Sequence, residues 1–274
     1  MKRAASVAFA LLLFTAAPLL AAPKTNFSGR ASAAAPAGPI EAPASSPVLG
    51  ESLLYDVFWM GVHIGYGRLE VREMVQKNGR RTYHAVAVAE TNEFLSKLYP
   101  VHDEIHSWID AEHFHSLEFR KTLSEARYRA DEAVRFDYAA KKGFYESFLN
   151  KGTKEIDIPV PVHDLISAFY WFRLQPIEVG KSVKTLVSSE EKTWDLELKV
   201  LKRESQELRG KGVLDTVLVE PKTRLKGALY ARGRAWVSFT ADRRRLPVRI
   251  LLQTPYGRIT GILRDLPPSA APGD

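Results

Sequence analysis

The chain has 274 residues, 45% of them hydrophobic, and a formal net charge of +7. That length and apolar content suffice for a packed core, which excludes a wholly disordered chain. It contains no cysteine, which excludes disulfides, thiolate metal sites and a lipid-modified cysteine, so any fold must rest on burial alone.

The first element is Met1-Lys2-Arg3 followed by the apolar run Ala4 to Ala22, centred on Leu11-Leu12-Leu13-Phe14. A basic start before an apolar segment is the build of a secretory signal, so residues 1–22 predict export. Ala21 and Ala22 offer cleavage points, although Pro23 and Leu19 fit them imperfectly. The run approaches the roughly 20 residues that span a bilayer, so an uncleaved signal anchor is the alternative, and it alone would tether the chain to the inner membrane. Removing Lys2 and Arg3 takes the formal charge from +7 to +5. The excess of positive charge reads first as a solubilising surface and, as the alternative, as attraction to anionic envelope partners; for an exported chain it does not point to nucleic acid.

Residues 23–49 are dominated by Ala, Pro, Ser and Gly. Such a stretch buries too little to offset the entropy of ordering it, and it is read as a disordered linker. The tail 267–274 has the same character. Between them, residues 50–266 carry short alternating runs: Leu54 to Trp59, Ile64 to Met74, Thr82 to Ala89, Val101 to Ile109, Leu117 to Leu123, Tyr128 to Tyr138, Phe144 to Leu149 and Glu155 to Ile158. In Thr82 to Ala89, Tyr83, Ala85, Ala87 and Ala89 share one face and His84, Val86 and Val88 the other. Period-two alternation between Gly, Asn, Lys and Asp clusters predicts an antiparallel meander.

The alternation lapses twice. Asn92 to Leu98 reads as a short helix. His163 to Leu174 reads as a long one, with Leu165, Ala168, Phe169 and Phe172 on one stripe, His163 or Asp164 as cap and Pro176 as stop. Its apolar circumference predicts deep burial. Strands resume at Ser182 to Ser188, Thr193 to Lys202, Leu214 to Pro221, Ala235 to Thr240, Leu246 to Leu252 and Arg258 to Leu263. The expected fold is mainly β: one antiparallel domain over 50–266, its sheet curved into a half-barrel or β-roll around one buried helix.

No chemical motif dominates. His102 and His106 lie on one face of a strand but two pleats apart, roughly 13 Å at strand rise, too far for one ion, and His115 falls on the opposite side; no metal site is expected. Neither a cofactor motif nor a Gly-x-Ser-x-Gly nucleophile turn occurs. The adjacent carboxylates Asp103–Glu104, Asp131–Glu132 and Glu190–Glu191 point to opposite strand faces. No catalytic residue is assigned. The aromatic residues suggest core packing or an apolar pocket under the helix; Trp59, Trp108, Phe169, Trp171 and Phe172 are the candidate ligand-binding residues. Arg243, Arg244 and Arg245, near Arg232 and Arg234, form a basic turn and are the candidate anion-binding residues.

Gly50-Glu51-Ser52-Leu53-Leu54-Tyr55-Asp56-Val57 with Gly61 and Gly65, then Val134-Arg135-Phe136-Asp137, then Asp164 to Tyr170 with Arg173 and Gly180, and finally Trp236-Val237-Ser238, Asp242 and Leu246-Pro247-Val248 resemble, in order and spacing, the domain-of-unknown-function family DUF3108. The resemblance implies a periplasmic protein of a Gram-negative-type envelope, with no established activity and no catalytic residues to transfer. The expected sheet around a helix also resembles lipoprotein carriers and receptors of the LolA/LolB type, a likeness of fold only. The reading that joins these points is a non-enzymatic periplasmic protein binding an apolar or amphipathic envelope component, a lipid or lipoprotein. The alternatives are a structural or scaffold protein contacting envelope proteins and, after it, an envelope glycan hydrolase.

Overall fold

The structure is a computed structural model and describes residues 49–267 except 159–160, 190–191, 209, 211, 226–227 and 230–232. The signal segment, nearly all of the linker and tail, and Arg232 therefore lie outside the described residues. Strands β1 (Ser52–Trp59), β2 (Val62–Lys77), β3 (Arg80–Thr91), β4 (His102–Asp110), β5 (Ser116–Glu125), β6 (Tyr128–Asp137), β7 (Lys142–Ser147) and β8 (Gly152–Asp157) make an antiparallel meander. The short helix α1 (Glu93–Ser96) interrupts it between β3 and β4, and α2 (Leu165–Arg173) follows β8. A second run continues with β9 (Ser182–Ser189), β10 (Lys192–Leu208), β11 (Gly212–Leu225), β12 (Ala228–Leu229), β13 (Arg234–Thr240), β14 (Pro247–Thr254) and β15 (Gly257–Leu263).

The two runs join where β1 pairs with β15, Tyr55 opposite Leu263 and Trp59 opposite Ile259. One sheet results, ordered from β8 through β1 and β15 to β9, with β12 paired to β11. It does not close on itself by strand pairing. The chain just before α2 bridges the gap instead. The Val162 carbonyl accepts from Ser116 N at 3.1 Å and from the Tyr138 hydroxyl at 3.1 Å. The next residue, His163, donates its N–H to Leu186 O and accepts from Ser188 N, at 2.9 and 2.7 Å. The curled sheet with a single plugging helix matches the expectation from sequence.

The hairpins follow their turn chemistry. Asn78 and Gly79 both take positive φ, as do Met60 and Gly61, the pattern of two-residue turns whose twist matches the strands. Helix α2 starts at a capping box: the Asp164 carboxylate accepts from Ile166 N and Ser167 N at 2.7 and 2.9 Å, and the Ser167 hydroxyl accepts from Asp164 N at 2.8 Å. Ile166, Tyr170 and Phe172 are almost wholly enclosed. The largest apolar cluster gathers Leu53, Tyr55, Leu69, Val71, Ile105, Ile109, Ile166 and Tyr170. Another packs Phe172 against Val200, Val217, Val219 and Phe239. The helix is thus the shared core of both strand runs.

Strands β10 and β11 extend beyond their apolar alternation. Lys202 to Glu207 is charged and polar, yet it stays paired with Val213 to Leu218, helped by an Arg203–Asp215 ion pair across the strands. Among the described residues no helix is long and apolar enough to cross a membrane.

Candidate functional site

A cavity with about 130 Å³ of free space lies between α2 and the inner face of the sheet. Its origin is a mismatch of side-chain size. On the β1–β3 wall the inward row is Tyr55, Gly67 and Ala89, in cross-strand register, with Ala87 beside Leu69 in the next. Gly67, Ala87 and Ala89 are too small to reach the helix. The facing wall carries Leu196, Leu198, Val219 and Val237, and α2 supplies Leu165, Ala168, Phe169 and Phe172. Arg68, Thr223 and Tyr55 are the lining residues with polar side-chain groups; the Arg68 side chain is 45% exposed beside Glu70, and the Tyr55 hydroxyl donates to Pro247 O at 2.9 Å. An apolar space of this size resembles engineered cavities of about 150 Å³ that take up benzene-sized solutes.

Both ends of α2 are fixed by buried polar groups. At its start, Asp164 is fully enclosed and accepts a 2.5 Å hydrogen bond from the Ser107 hydroxyl. Burial pushes its carboxyl up in pKa, opposed by hydrogen bonds from Ser107, Ser116, Ser167 and Ile166. His163, also enclosed, lies 5.0 Å from the Trp171 ring centroid; burial lowers its pKa to about 4. At its end, Arg173 makes a two-pronged ion pair with Glu51 at 2.6 and 2.8 Å, and both side chains are buried. Arg173 also donates to the Arg244 carbonyl, at 2.9 and 3.2 Å. Arg245, 1% exposed and at φ 46°, donates to the Arg173 carbonyl at 3.1 Å and to that of Gln175. A cation there meets the negative end of the helix dipole.

These positions sort the residues predicted from sequence. Phe169 and Phe172 meet at the cavity. Trp171 lies beside His163 and is not part of the lining. Trp108 stands on the outer face of β4, stacked on His84 at 4.7 Å and on His106 at 5.7 Å, under the Lys77 ammonium. The alternation that places Glu104 and His106 outward puts Trp108 with them. Trp59 ends β1 at the rim, 46% exposed, its indole N–H donating to Tyr256 O at 3.1 Å. The three arginines do not act together. Arg244 is held by Asp242 at 2.8 and 3.0 Å and by the Pro267 carbonyl, Arg245 is consumed by the helix terminus, and Arg243 alone is exposed. Two of the three guanidinium groups thus meet internal acceptors, and Arg243 faces outward.

A second buried cluster lies on the inner face of β4 and β5. Asp103 and Glu125 are 3% and 1% exposed. Burial first, and then the neighbouring Asp103 carboxylate, pushes the Glu125 carboxyl up in pKa to about 8, and burial raises Asp103 as well. Neither lines the cavity under α2, and among the described residues no group of three or more His, Asp or Glu side chains is arranged to hold a metal ion.

A family model described as a protein of unknown function (DUF3108) matches residues 54–264. No curated protein matches the chain. Among solved structures, a crystal structure from Brucella abortus, titled a beta-barrel-like protein of domain of unknown function DUF1849, is similar with a TM-score of 0.51 and 11% identity, covering 78% of this chain and 95% of that one. At that identity the likeness concerns the fold.

Proposed function

The chain belongs to the DUF3108 family, and on that premise we propose that it is an exported, periplasmic, non-enzymatic protein whose cavity takes up an apolar segment of an envelope lipid or lipoprotein. The observation that carries this reading is the cavity itself: an almost wholly apolar lining, kept open by Gly67, Ala87 and Ala89 opposite a helix fixed at both ends. A core with no role for the space gains by filling it, since each buried methylene is worth about 0.8 kcal/mol. The basic start and apolar run of residues 1–22 support export. Phe169 and Phe172 are the ligand-facing aromatics, with Tyr55 and Phe239 completing the ring of large side chains.

The test is titration of the purified chain with a dansyl-labelled fatty acid. Saturable binding is expected, weakened at least about tenfold when the space is filled from either wall by Ala87→Leu or Val237→Phe. Equal binding by both filled variants would sink the reading.

A further inference from the structure

In the meander, alternate connections lie at the same end of the sheet. The β1–β2, β3–β4, β5–β6 and β14–β15 connections therefore share one end, and they touch one another there. Met60 N donates to Arg258 O at 2.8 Å, Asn92 N to Ile64 O at 2.9 Å, and Ala126 N to Pro100 O at 2.7 Å. This end carries an unusual set of side chains. Met60 and Val62 at the first tip are 62% and 65% exposed, with Trp59 and Tyr256 beside them at 46% and 43%. On the α1 segment, Phe94 and Leu98 are 76% and 74% exposed, while Leu95 and Tyr99 turn inward onto Val57, Ile64 and Ile259.

Two further features set this rim apart. Met60 occupies a left-handed position, φ 50°, where the equivalent turn at the other end has Asn78 before Gly79. A methionine there costs conformational energy that an asparagine largely avoids, and its sulfur accepts from Arg258 N at 3.3 Å while the residue as a whole stays exposed. The exposed charges around the rim are Lys97, Arg127, Arg129 and Arg258 against Glu90 and Glu93, an excess of cations. Large apolar tips with indole and phenol groups beside them, ringed by Arg and Lys, fit the interface of an anionic bilayer: apolar groups enter the acyl boundary and cations meet the headgroup phosphates.

We infer that this rim docks on an anionic phospholipid membrane. The rim borders the cavity: Ala89 and Ala235 line it, Ala235 belongs to the cluster on which Leu95 of α1 packs, and Ala89 packs against that cluster. The inference does not require the cavity to hold a ligand.

The test is flotation of the purified chain with vesicles of phosphatidylglycerol and phosphatidylethanolamine, against pure phosphatidylcholine. The chain should float with the anionic vesicles and much less with the neutral ones. Met60→Glu and Phe94→Glu, both at exposed positions, should each reduce the bound fraction about tenfold. Arg127→Glu with Arg129→Glu should reduce it by about fivefold or more for each charge. Val213→Glu, 69% exposed at the opposite end, should leave it unchanged. Failure of the unaltered chain to float on anionic vesicles, or an equal loss in Val213→Glu, would overturn the inference. Binding of the labelled fatty acid by Met60→Glu in solution reads the cavity separately, so failure of one reading is distinguishable from failure of the other.

Discussion

The two ends of α2 are held by opposite chemistry. Its first turn is tied through one carboxyl group to hydroxyls and backbone N–H groups, with Asp164 accepting from Ser107, Ile166 and Ser167. Its last turn is tied by full charges, with Glu51 on Arg173 and Arg245 on the helix carbonyls. Between them the packing is incomplete, and the cavity sits there. A helix fastened at both ends does not need a filled middle to keep its place. The comparison also locates the sensitivity: the polar contacts at the ends lose most when only one partner is removed.

The charged end should break hardest. Glu51→Ala leaves the Arg173 guanidinium buried without its carboxylate, and removal of one partner of such a pair costs about 3–5 kcal/mol. Burial opposes the Arg173 charge, and the Glu51 carboxylate, by hydrogen bond and by charge, is the main group that holds it. The urea midpoint of Glu51→Ala should fall accordingly, whereas Glu51→Leu combined with Arg173→Met should recover most of the loss. A decrease below about 1 kcal/mol would mean that water reaches this end and that the contrast with the other end is false.

The hydroxyl-bound end should lose less. Asp164→Ala removes an N-cap worth about 1 kcal/mol and strands the Ser107 hydroxyl in the core, which adds about 1 kcal/mol or more. Asp164→Asn retains an acceptor for the helix N–H groups and should stay within about 1 kcal/mol of the parent in the same urea titration. If Asp164→Ala proves as damaging as Glu51→Ala, the two ends are equivalent in strength and the distinction by chemistry fails.

These ends were legible to different degrees. The helix and the Asp164 cap follow from local spacing, because a stripe of apolar residues and a side-chain acceptor act within one or two turns. The strands were legible for the same reason, as in Tyr83, Ala85, Ala87 and Ala89. Partners far apart in sequence were not: Glu51 lies 122 residues from Arg173, and Arg245 reaches carbonyls about 70 residues earlier. A run of three arginines reads as a solvated turn until the helix end that uses two of them is in place. The cavity was half visible, since its small residues stand in an alternating pattern, but only the fold sets them opposite Phe169. Trp108 could have been assigned outward from its neighbours Glu104 and His106. The Lys202–Glu207 stretch lacked alternation because strand pairing there is maintained by backbone bonds and cross-strand charge, without a buried face.

The smallest effect sharpens the comparison by pH. His163, just before the first turn, is neutral in the folded chain because burial lowers its pKa from the usual 6.5 to about 4. As pH falls through about 6.5, the unfolded chain takes up a proton that the folded chain refuses, so stability is lost from there down to about pH 4. His115, lowered by the same cause and next to it, adds in the same direction. Arg173 and Arg245 do not titrate in this range, so acid should loosen the start of α2 and spare its end. Between about pH 7 and 5.5 the parent should lose roughly 1 kcal/mol that His163→Gln does not, a one-unit shift being worth about 1.4 kcal/mol. Hydrogen exchange over the same range should rise first at Ile166 and Ser167 and last at Arg173. Uniform loss along the helix would mean that its two ends open as one unit, and that the difference in their chemistry has no consequence for how the helix lets go.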